Sequence, residues 1–129
     1  MHRSALVSGA LLAAVAVILG AFGAHALKAV LGPEQLVTFE TGVRYQFYHS
    51  FALLFAGIIY GSYPEKQVKL AASFFTTGIV MFSGSLYLIT VLKMNGVVGL
   101  TGVGILTPIG GVFFILGWLM LLIGILKRK

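Results

Sequence analysis

Residues 106–126 read LTPIGGVFFILGWLMLLIGIL, a stretch without any Asp, Glu, Lys or Arg. A helix needs about 20 mostly apolar residues to cross the hydrocarbon core of a bilayer, so this stretch is long enough to span a membrane. Three further stretches have the same character, and they cover residues 4–26, 45–63 and 70–92. The sequence therefore predicts an all-α membrane protein, a four-transmembrane-helix bundle.

The composition of the chain agrees with a membrane location. Of the 129 residues only 9 % are charged and 59 % are hydrophobic, and the mean hydropathy is +1.04. A soluble fold of this length would not keep so much apolar surface in water. We therefore predict a single integral membrane domain over residues 1–129, located in the cell (inner) membrane as a multi-pass protein.

The basic residues predict how the bundle is oriented, because Lys and Arg in short loops favour the cytoplasmic side. With four spans, the side that holds both termini carries Arg3, Lys66, Lys69, Lys127, Arg128 and Lys129. The other side carries three basic residues, so both termini are expected in the cytoplasm and the loops at 28–44 and 93–105 outside. Anionic lipid headgroups then account for the net charge of +6 without a nucleic-acid partner.

The first stretch also has features of a secretory signal peptide. Arg3 gives it a basic start, and Ala24-His25-Ala26 has the small-x-small form of a cleavage site. Its apolar run is longer than the roughly 7–15 residues usual in signal peptides, so we expect it to remain as a span. Cysteine is absent, which excludes disulfides and thiolate metal ligands.

The segment before the second span mixes apolar residues with Glu, Gln and Arg. Pro33 follows Gly32, a pattern typical of the start of a helix. We therefore expect a short interfacial helix that bends near Gly42 and leads into the second span. Tyr45 and Tyr63 are expected at the two membrane interfaces, where tyrosine rings are enriched.

Small residues predict where the helices pack, because close backbone approach drives helix association in lipid. They recur at every fourth position from Ala16 to Ala24, and glycines recur at every seventh position from Gly110 to Gly124. The glycines expected at helix contacts are Gly20, Gly23, Gly84, Gly110, Gly111 and Gly117.

Polar side chains are expected to meet in the outer half of the bundle, since each of the four spans carries some of them at the same end. Polar groups are costly inside a membrane, so their convergence is a default hypothesis for a functional site. The expected members of this polar cluster are His25, Glu40, Arg44, Tyr45, Gln46, His49, Ser83, Ser85, Tyr87 and Thr107.

Four motifs are distinctive in combination. They are GAFGAH at 20–25, TGVRYQ at 41–46 with His49, FSGSLY at 82–87, and TPIGG at 107–111 with Gly117-Trp118. On these motifs the chain resembles, over nearly its whole length, the small membrane proteins of domain-of-unknown-function family 423, which includes transmembrane protein 256-like proteins. The resemblance implies a four-span bacterial or organellar membrane protein with an uncleaved first span, and it implies no particular activity.

The two histidines of the cluster have more than one interpretation. We favour neutral imidazoles that hydrogen-bond across helices and hold the bundle in register. Alternatively, His25 and His49 would ligate a haem iron, although the sequence has no other haem signature. A zinc site would need a third protein ligand, for which only Glu40 is near.

Two further pairs of polar residues have a chemical alternative beside a structural one. Glu40 and Arg44 are expected to pair on one helix face, whereas an Arg44 turned towards His49 would hold a small anion or an anionic headgroup. Ser83 or Ser85 with His49 would form a nucleophile and base only with hydrogen-bond contact and an oxyanion hole.

We therefore expect a non-enzymatic structural, assembly or lipid-contacting membrane component, without catalytic residues, cofactor or metal. Its expected partners are membrane lipids and either further copies of the chain or a larger membrane complex. The alternative is a small oligomeric transporter or channel that uses the polar cluster as a binding site. Transporters typically carry an ionisable group near the bilayer midplane, and no Asp or Glu lies inside any of the four stretches, which favours the first class.

Overall fold

The computed structural model of the chain describes residues 1–96, 99 and 101–127. The helices are α1 (Arg3–His25), α2 (Pro33–Ile59), α3 (Lys66–Gly78), α4 (Gly84–Met94), α5 (Thr101–Gly104) and α6 (Leu106–Lys127). A π-helical segment, Ile79–Ser83, joins α3 to α4 as one continuous rod, and a 3-10 turn, Leu27–Ala29, follows α1. The described part of the chain contains no strand, which confirms the all-α prediction.

A few predicted features fall outside the described residues. They are part of the second outer loop, at positions 97, 98 and 100, and the two C-terminal basic residues, Arg128 and Lys129.

Three helical regions are long and apolar enough to cross a membrane, namely Arg3–Ala29, Lys66–Met94 and Gly102–Lys127. They correspond to the first, third and fourth predicted spans. The helix α2 has 27 residues but is not among these three. Its first half carries three charged residues, Glu34, Glu40 and Arg44, and two of the three are acidic.

The helix α2 begins where predicted but does not end or bend where predicted. Pro33 is its first residue, as expected, and the Oε1 atom of Gln35 accepts a hydrogen bond from the N–H of Gly32 at 3.0 Å. The helix then runs without interruption through Gly42 to Ile59, so a separate interfacial helix before the second span is not found. Gly42 lies against the ring of Tyr87, which makes it a site of helix packing rather than a break.

Neighbouring helices are antiparallel, and α1, α2, the α3–α4 rod and α6 follow one another in space. The N–H of His2 donates to the carbonyl of Gly57 at 2.9 Å, which sets the start of α1 against the end of α2. Gly124 packs on Val68, which sets the end of α6 against the start of α3. The described basic residues Arg3, Lys66, Lys69 and Lys127 therefore share one end of the molecule.

The glycine stripe predicted on α6 is confirmed. Gly110 faces the backbone of Phe82, and a Cβ atom at Gly117 would lie 2.6 Å from Cε1 of Phe75. A Cβ atom at Gly124 would lie 2.7 Å from Cγ2 of Val68. Without side chains at these positions, α6 approaches the rod closely along its whole length.

The stripe on α1 differs from the prediction, because it follows a seven-residue spacing. Gly9, Ala16 and Gly23 are buried, whereas Ala24 is exposed and Gly20 makes only an ordinary contact with α2. A Cβ atom at Gly23 would lie 2.8 Å from the ring of Phe39, so this glycine is a packing position as expected. The seven-residue repeat keeps one face of α1 against the neighbouring helix, as in left-handed helix pairs.

Two of the glycines predicted at helix contacts make little or no contact within the described part of the chain. No atom of the described residues lies within 4 Å of a Cβ atom built at Gly84. Gly111 has only the ring of Phe82 nearby, at 3.9 Å.

Candidate functional site

Gln46 links three helices through its side chain. It is 3 % exposed on α2, and its Nε2 atom donates to the carbonyl of Leu12 on α1 at 2.8 Å. Its Oε1 atom accepts from the hydroxyl of Tyr87 on α4 at 2.6 Å. The ring of Tyr87 reaches Gln46 by passing over Gly42, where a side chain would block it.

His49 is buried one turn further along α2, and hydrogen bonds define its tautomer. Its Nδ1 atom lies 2.8 Å from the carbonyl oxygen of Tyr45, which can only accept, so Nδ1 carries the proton. Its Nε2 atom accepts from the indole N–H of Trp118 on α6 at 3.1 Å. Both ring nitrogens of a neutral imidazole are therefore satisfied.

Aromatic rings surround this imidazole. The ring of His49 is stacked on that of Phe114, with centroids 3.5 Å apart and planes 7° apart, and the centroid of Phe75 lies at 5.7 Å. Tyr45 packs on Phe82 of the π-helical segment at 4.8 Å. The contacts join α2 to α6 across the rod, although the backbones of these two helices are not close neighbours.

The serines of the rod bind neighbouring helices. Ser83, fully buried, donates to the carbonyl of Gly42 on α2 at 2.7 Å. Ser85 donates to the carbonyl of Phe82 at 2.8 Å, and its oxygen lies 2.5 Å from the hydroxyl oxygen of Thr107 on α6. Since the single proton of Ser85 is engaged, Thr107 is the donor between these hydroxyls.

Seven of the ten residues predicted for the polar cluster are thus brought together: Tyr45, Gln46, His49, Ser83, Ser85, Tyr87 and Thr107. The other three lie apart. His25 is exposed at the end of α1 and makes no hydrogen bond within the described residues. Glu40 and Arg44 are exposed, and the expected ion pair between them is not formed.

Three chemical alternatives were considered for these residues, namely a serine–histidine pair, a haem site and an anion site at Arg44. No hydrogen bond joins His49 to Ser83 or Ser85, because each already binds another partner. His25 is exposed and His49 is buried, so the two histidines considered for haem have different surroundings. Arg44 is exposed rather than turned into the bundle.

Four hydrogen-bonding partners in the site were not among the predicted site residues. They are the indole of Trp118 and the carbonyls of Leu12, Gly42 and Phe82. The tryptophan could have been predicted from the sequence, since an indole N–H in an apolar helix needs an acceptor. The backbone carbonyls could not, because every residue has a carbonyl group and only the packing decides which of them is reached.

A groove of about 610 Å³ lies beside the cluster, between α2 and α6. Its lining is mostly aromatic and aliphatic and includes Tyr48, Pro108, Val112 and Trp118. His49 is also part of this lining. The groove thus offers an apolar surface with few polar groups.

Comparison with known proteins gives a family without an assigned activity. The family model described as "Protein of unknown function (DUF423)" matches residues 19–111. A UPF0382 membrane protein of Staphylococcus aureus is 41 % identical over 122 residues, which cover 95 % of this chain and 94 % of that protein.

Two further bacteria carry similar proteins. The UPF0382 membrane protein YwdK of Bacillus subtilis is 36 % identical over 123 residues, with 95 % of each chain covered. A UPF0382 membrane protein of Haemophilus influenzae is 38 % identical over 113 residues, covering 88 % of this chain and 86 % of the relative. No solved structure matches the chain.

Proposed function

Because the chain belongs to the DUF423 family, whose relatives described above are membrane proteins, we propose that it is a non-enzymatic membrane component in which the polar cluster holds the helices in register. The family assignment confirms the resemblance seen in the four motifs. The activity, the orientation and the number of crossings belong to the proposal.

The observation that carries this proposal is the hydrogen bonding of the buried side chains of the cluster. Gln46, His49 and Ser83 each use their polar atoms on a neighbouring helix or on their own backbone. Among the described residues, the buried side-chain atom without a partner is Oε1 of Gln67, which belongs to α3 rather than to the cluster. A site whose buried polar atoms have protein partners is suited to joining helices, since these partners offset the cost of burying them.

We propose that α2 is the fourth crossing, in spite of its polar residues. At the helical rise of about 1.5 Å per residue, its 27 residues are about 40 Å long, which exceeds the hydrocarbon thickness. Its polar residues within the bundle, Gln46, His49 and Ser50, are at most 4 % exposed. Neighbouring helices therefore shield them from lipid.

With four crossings, the shared end that holds Arg3, Lys66, Lys69 and Lys127 is proposed to face the cytoplasm of the bacterial inner membrane. A reporter active only in the cytoplasm, fused after Lys129, should then be active, whereas the same reporter inserted after Asn95 should be inactive. A reporter active only outside should give the opposite pattern. Activity of the cytoplasmic reporter at both positions would show an even number of crossings between them, instead of the single crossing by α6, and would overturn the four-span topology.

The proposal also predicts energetic coupling between Gln46 and Tyr87. Tyr87→Phe removes one hydroxyl and should lower the free energy of unfolding by about 0.6 kcal/mol, up to about 1.7, as for other hydrogen bonds between membrane helices. Gln46→Leu removes the acceptor as well as the bond to Leu12 and should cost more. In the double variant the two losses should not add, because they share one hydrogen bond.

The free energies of unfolding of the unaltered protein, the two single variants and the double variant form a double-mutant cycle, and they are measured by reversible unfolding in mixed micelles. The matched control is Thr41→Val, which removes a hydroxyl bound only to the carbonyl of Val37 on its own helix. Additive losses from Gln46→Leu and Tyr87→Phe would contradict the proposed role of this link.

The second candidate function is a small oligomeric transporter or channel, and the groove of about 610 Å³ beside His49 is the observation that favours it. Native mass spectrometry of protein released from nanodiscs tests it, because copy number and retained mass are read together. A defined oligomer with a bound molecule that is lost in His49→Ala would favour this candidate. A monomer with exchangeable lipids would support the structural role.

A further inference from the structure

A second polar site lies at the end of the molecule that carries the basic residues, away from the polar cluster. It is a cleft of about 320 Å³ between α1 and α3, with Leu53 of α2 also in its lining. The polar residues that line it are His2, Ser4, Ser8, Ser73, Thr76 and Thr77. Both flanking helices belong to the regions that are long and apolar enough to cross a membrane.

Four hydroxyls in this cleft have no hydrogen-bond partner within the described residues. Ser4 and Ser8 stand one turn apart on α1, and Ser73 and Thr77 stand one turn apart on α3. Elsewhere in the helices such hydroxyls donate to the carbonyl four residues earlier, as in Thr38, Thr41, Ser50 and Thr90, and Thr76 in the cleft does the same. The four hydroxyls of the cleft are therefore available to a bound molecule.

His2 adds a further donor to the cleft. It caps α1, and its Nδ1 atom accepts a hydrogen bond from the N–H of Ala5 at 3.2 Å. The proton of the neutral ring is then on Nε2, which has no partner within the described part of the chain. Donors thus come from α1 and from α3.

The charges around the cleft favour an anion. Arg3 directly precedes Ser4, and Lys69 lies one turn before Ser73 on the same face of α3. Of the three acidic residues of the chain, Glu65 is the one at this end of the molecule, whereas the other two belong to the first half of α2. Hydroxyl donors match the oxygens of a phosphate group, and these two cations, which neighbour lining residues on the helices without belonging to the lining, favour its negative charge.

We propose that this cleft binds the headgroup phosphate of an anionic phospholipid. The apolar surface beyond the hydroxyls argues for a lipid over a free phosphate ion. Leu11 follows Ser8 by one turn and is 62 % exposed, and Val80 follows Thr77 by one turn and is 65 % exposed. An acyl chain can lie along these side chains while the phosphate accepts hydrogen bonds from the hydroxyls. The site shares no residue with the polar cluster, so it stands independently of the function proposed above.

The test is lipid retention in native mass spectrometry, using nanodiscs with equal amounts of phosphatidylglycerol and phosphatidylcholine. The unaltered protein should retain phosphatidylglycerol in clear excess. Ser73→Ala combined with Thr77→Ala should remove most of that excess, because both side chains are exposed and their hydroxyls have no structural bond to lose. Thr38→Ala combined with Thr41→Ala is the matched control and should retain as much as the unaltered protein.

Charge variants test the anionic part of the proposal. Lys69→Gln should reduce the preference for phosphatidylglycerol, whereas Lys28→Gln, an exposed lysine at the opposite end, should not. Equal retention of the two lipids by the unaltered protein, or an equal loss in both pairs of hydroxyl variants, would overturn the site. Displacement of phosphatidylglycerol by millimolar inorganic phosphate would show a free-anion site and overturn the choice of a lipid. Thermal unfolding of each variant separates loss of binding from loss of fold.

Discussion

Gly110→Ala is expected to lower the free energy of unfolding by about 1–3 kcal/mol, the range typical of overpacked cores. The added Cβ atom would fall on the backbone nitrogen of Phe82 and lie 2.8 Å from its Cα atom. A backbone cannot turn aside as a flexible side chain can, and this backbone is also held by the hydrogen bond from Ser83 to Gly42. The helix α6 must therefore move away from the π-helical segment, which also strains the bond between Ser85 and Thr107.

Unfolding in mixed micelles, followed by the fluorescence of Trp118, the single tryptophan, measures this effect. The control is Gly84→Ala, two residues beyond Phe82 on the rod, where no atom of the described residues lies within 4 Å of the new Cβ atom. That variant should be unchanged or more stable by up to about 1 kcal/mol, because alanine favours helix. Equal stability of the Gly110 and Gly84 variants would mean that α6 does not pack on the rod as described.

His49→Ala is expected to cost about 2–4 kcal/mol of unfolding free energy, as large-to-small substitutions in cores do. Three contributions combine in this loss. The indole of Trp118 loses its acceptor, the stack on Phe114 disappears, and a cavity opens between α2 and α6. The emission of Trp118 should change in the folded state as well, since the hydrogen-bonded environment of its N–H is altered.

Two further variants separate these contributions. Trp118→Phe keeps a ring but removes the N–H donor, and it should cost only about 0.6 kcal/mol if the hydrogen bond alone is lost. His25→Ala should leave stability within about 0.5 kcal/mol, because this histidine is exposed and makes no hydrogen bond within the described residues. If His49→Ala is as stable as His25→Ala, then His49 does not hold the bundle together.

The helices were predictable because hydropathy and length act locally. The stretch at 106–126 appears as α6, Leu106–Lys127, and the stretch at 70–92 lies within the rod from Lys66 to Met94. The stripe from Gly110 to Gly124 was predictable for a related reason, because a seven-residue repeat of small residues keeps one helix face free of side chains. The repeat on α1 was misjudged, since its many small residues fit both a four-residue and a seven-residue spacing.

The sequence predicted most of the residues of the candidate site, but it did not predict their hydrogen-bond partners. Gln46 and His49 were expected to meet polar groups of other helices, and they do so. Their partners include the carbonyl of Leu12 and the indole of Trp118, which spacing alone does not reveal. His25 has the same side chain as His49 and was placed at the same end of the bundle, yet it faces outward.

The sequence by itself determined the all-helical architecture, the membrane character, the family and the common end of Arg3, Lys66, Lys69 and Lys127. These features depend on local hydropathy, on short motifs and on the alternation of direction between successive helices. Only the tertiary structure decided which polar atoms meet, that α2 continues without a break past Gly42, and that Ser4 and Ser73 face one cleft. The physical reason is that polar contacts between helices depend on rotation and depth to within a few ångströms, and neighbouring helices set both.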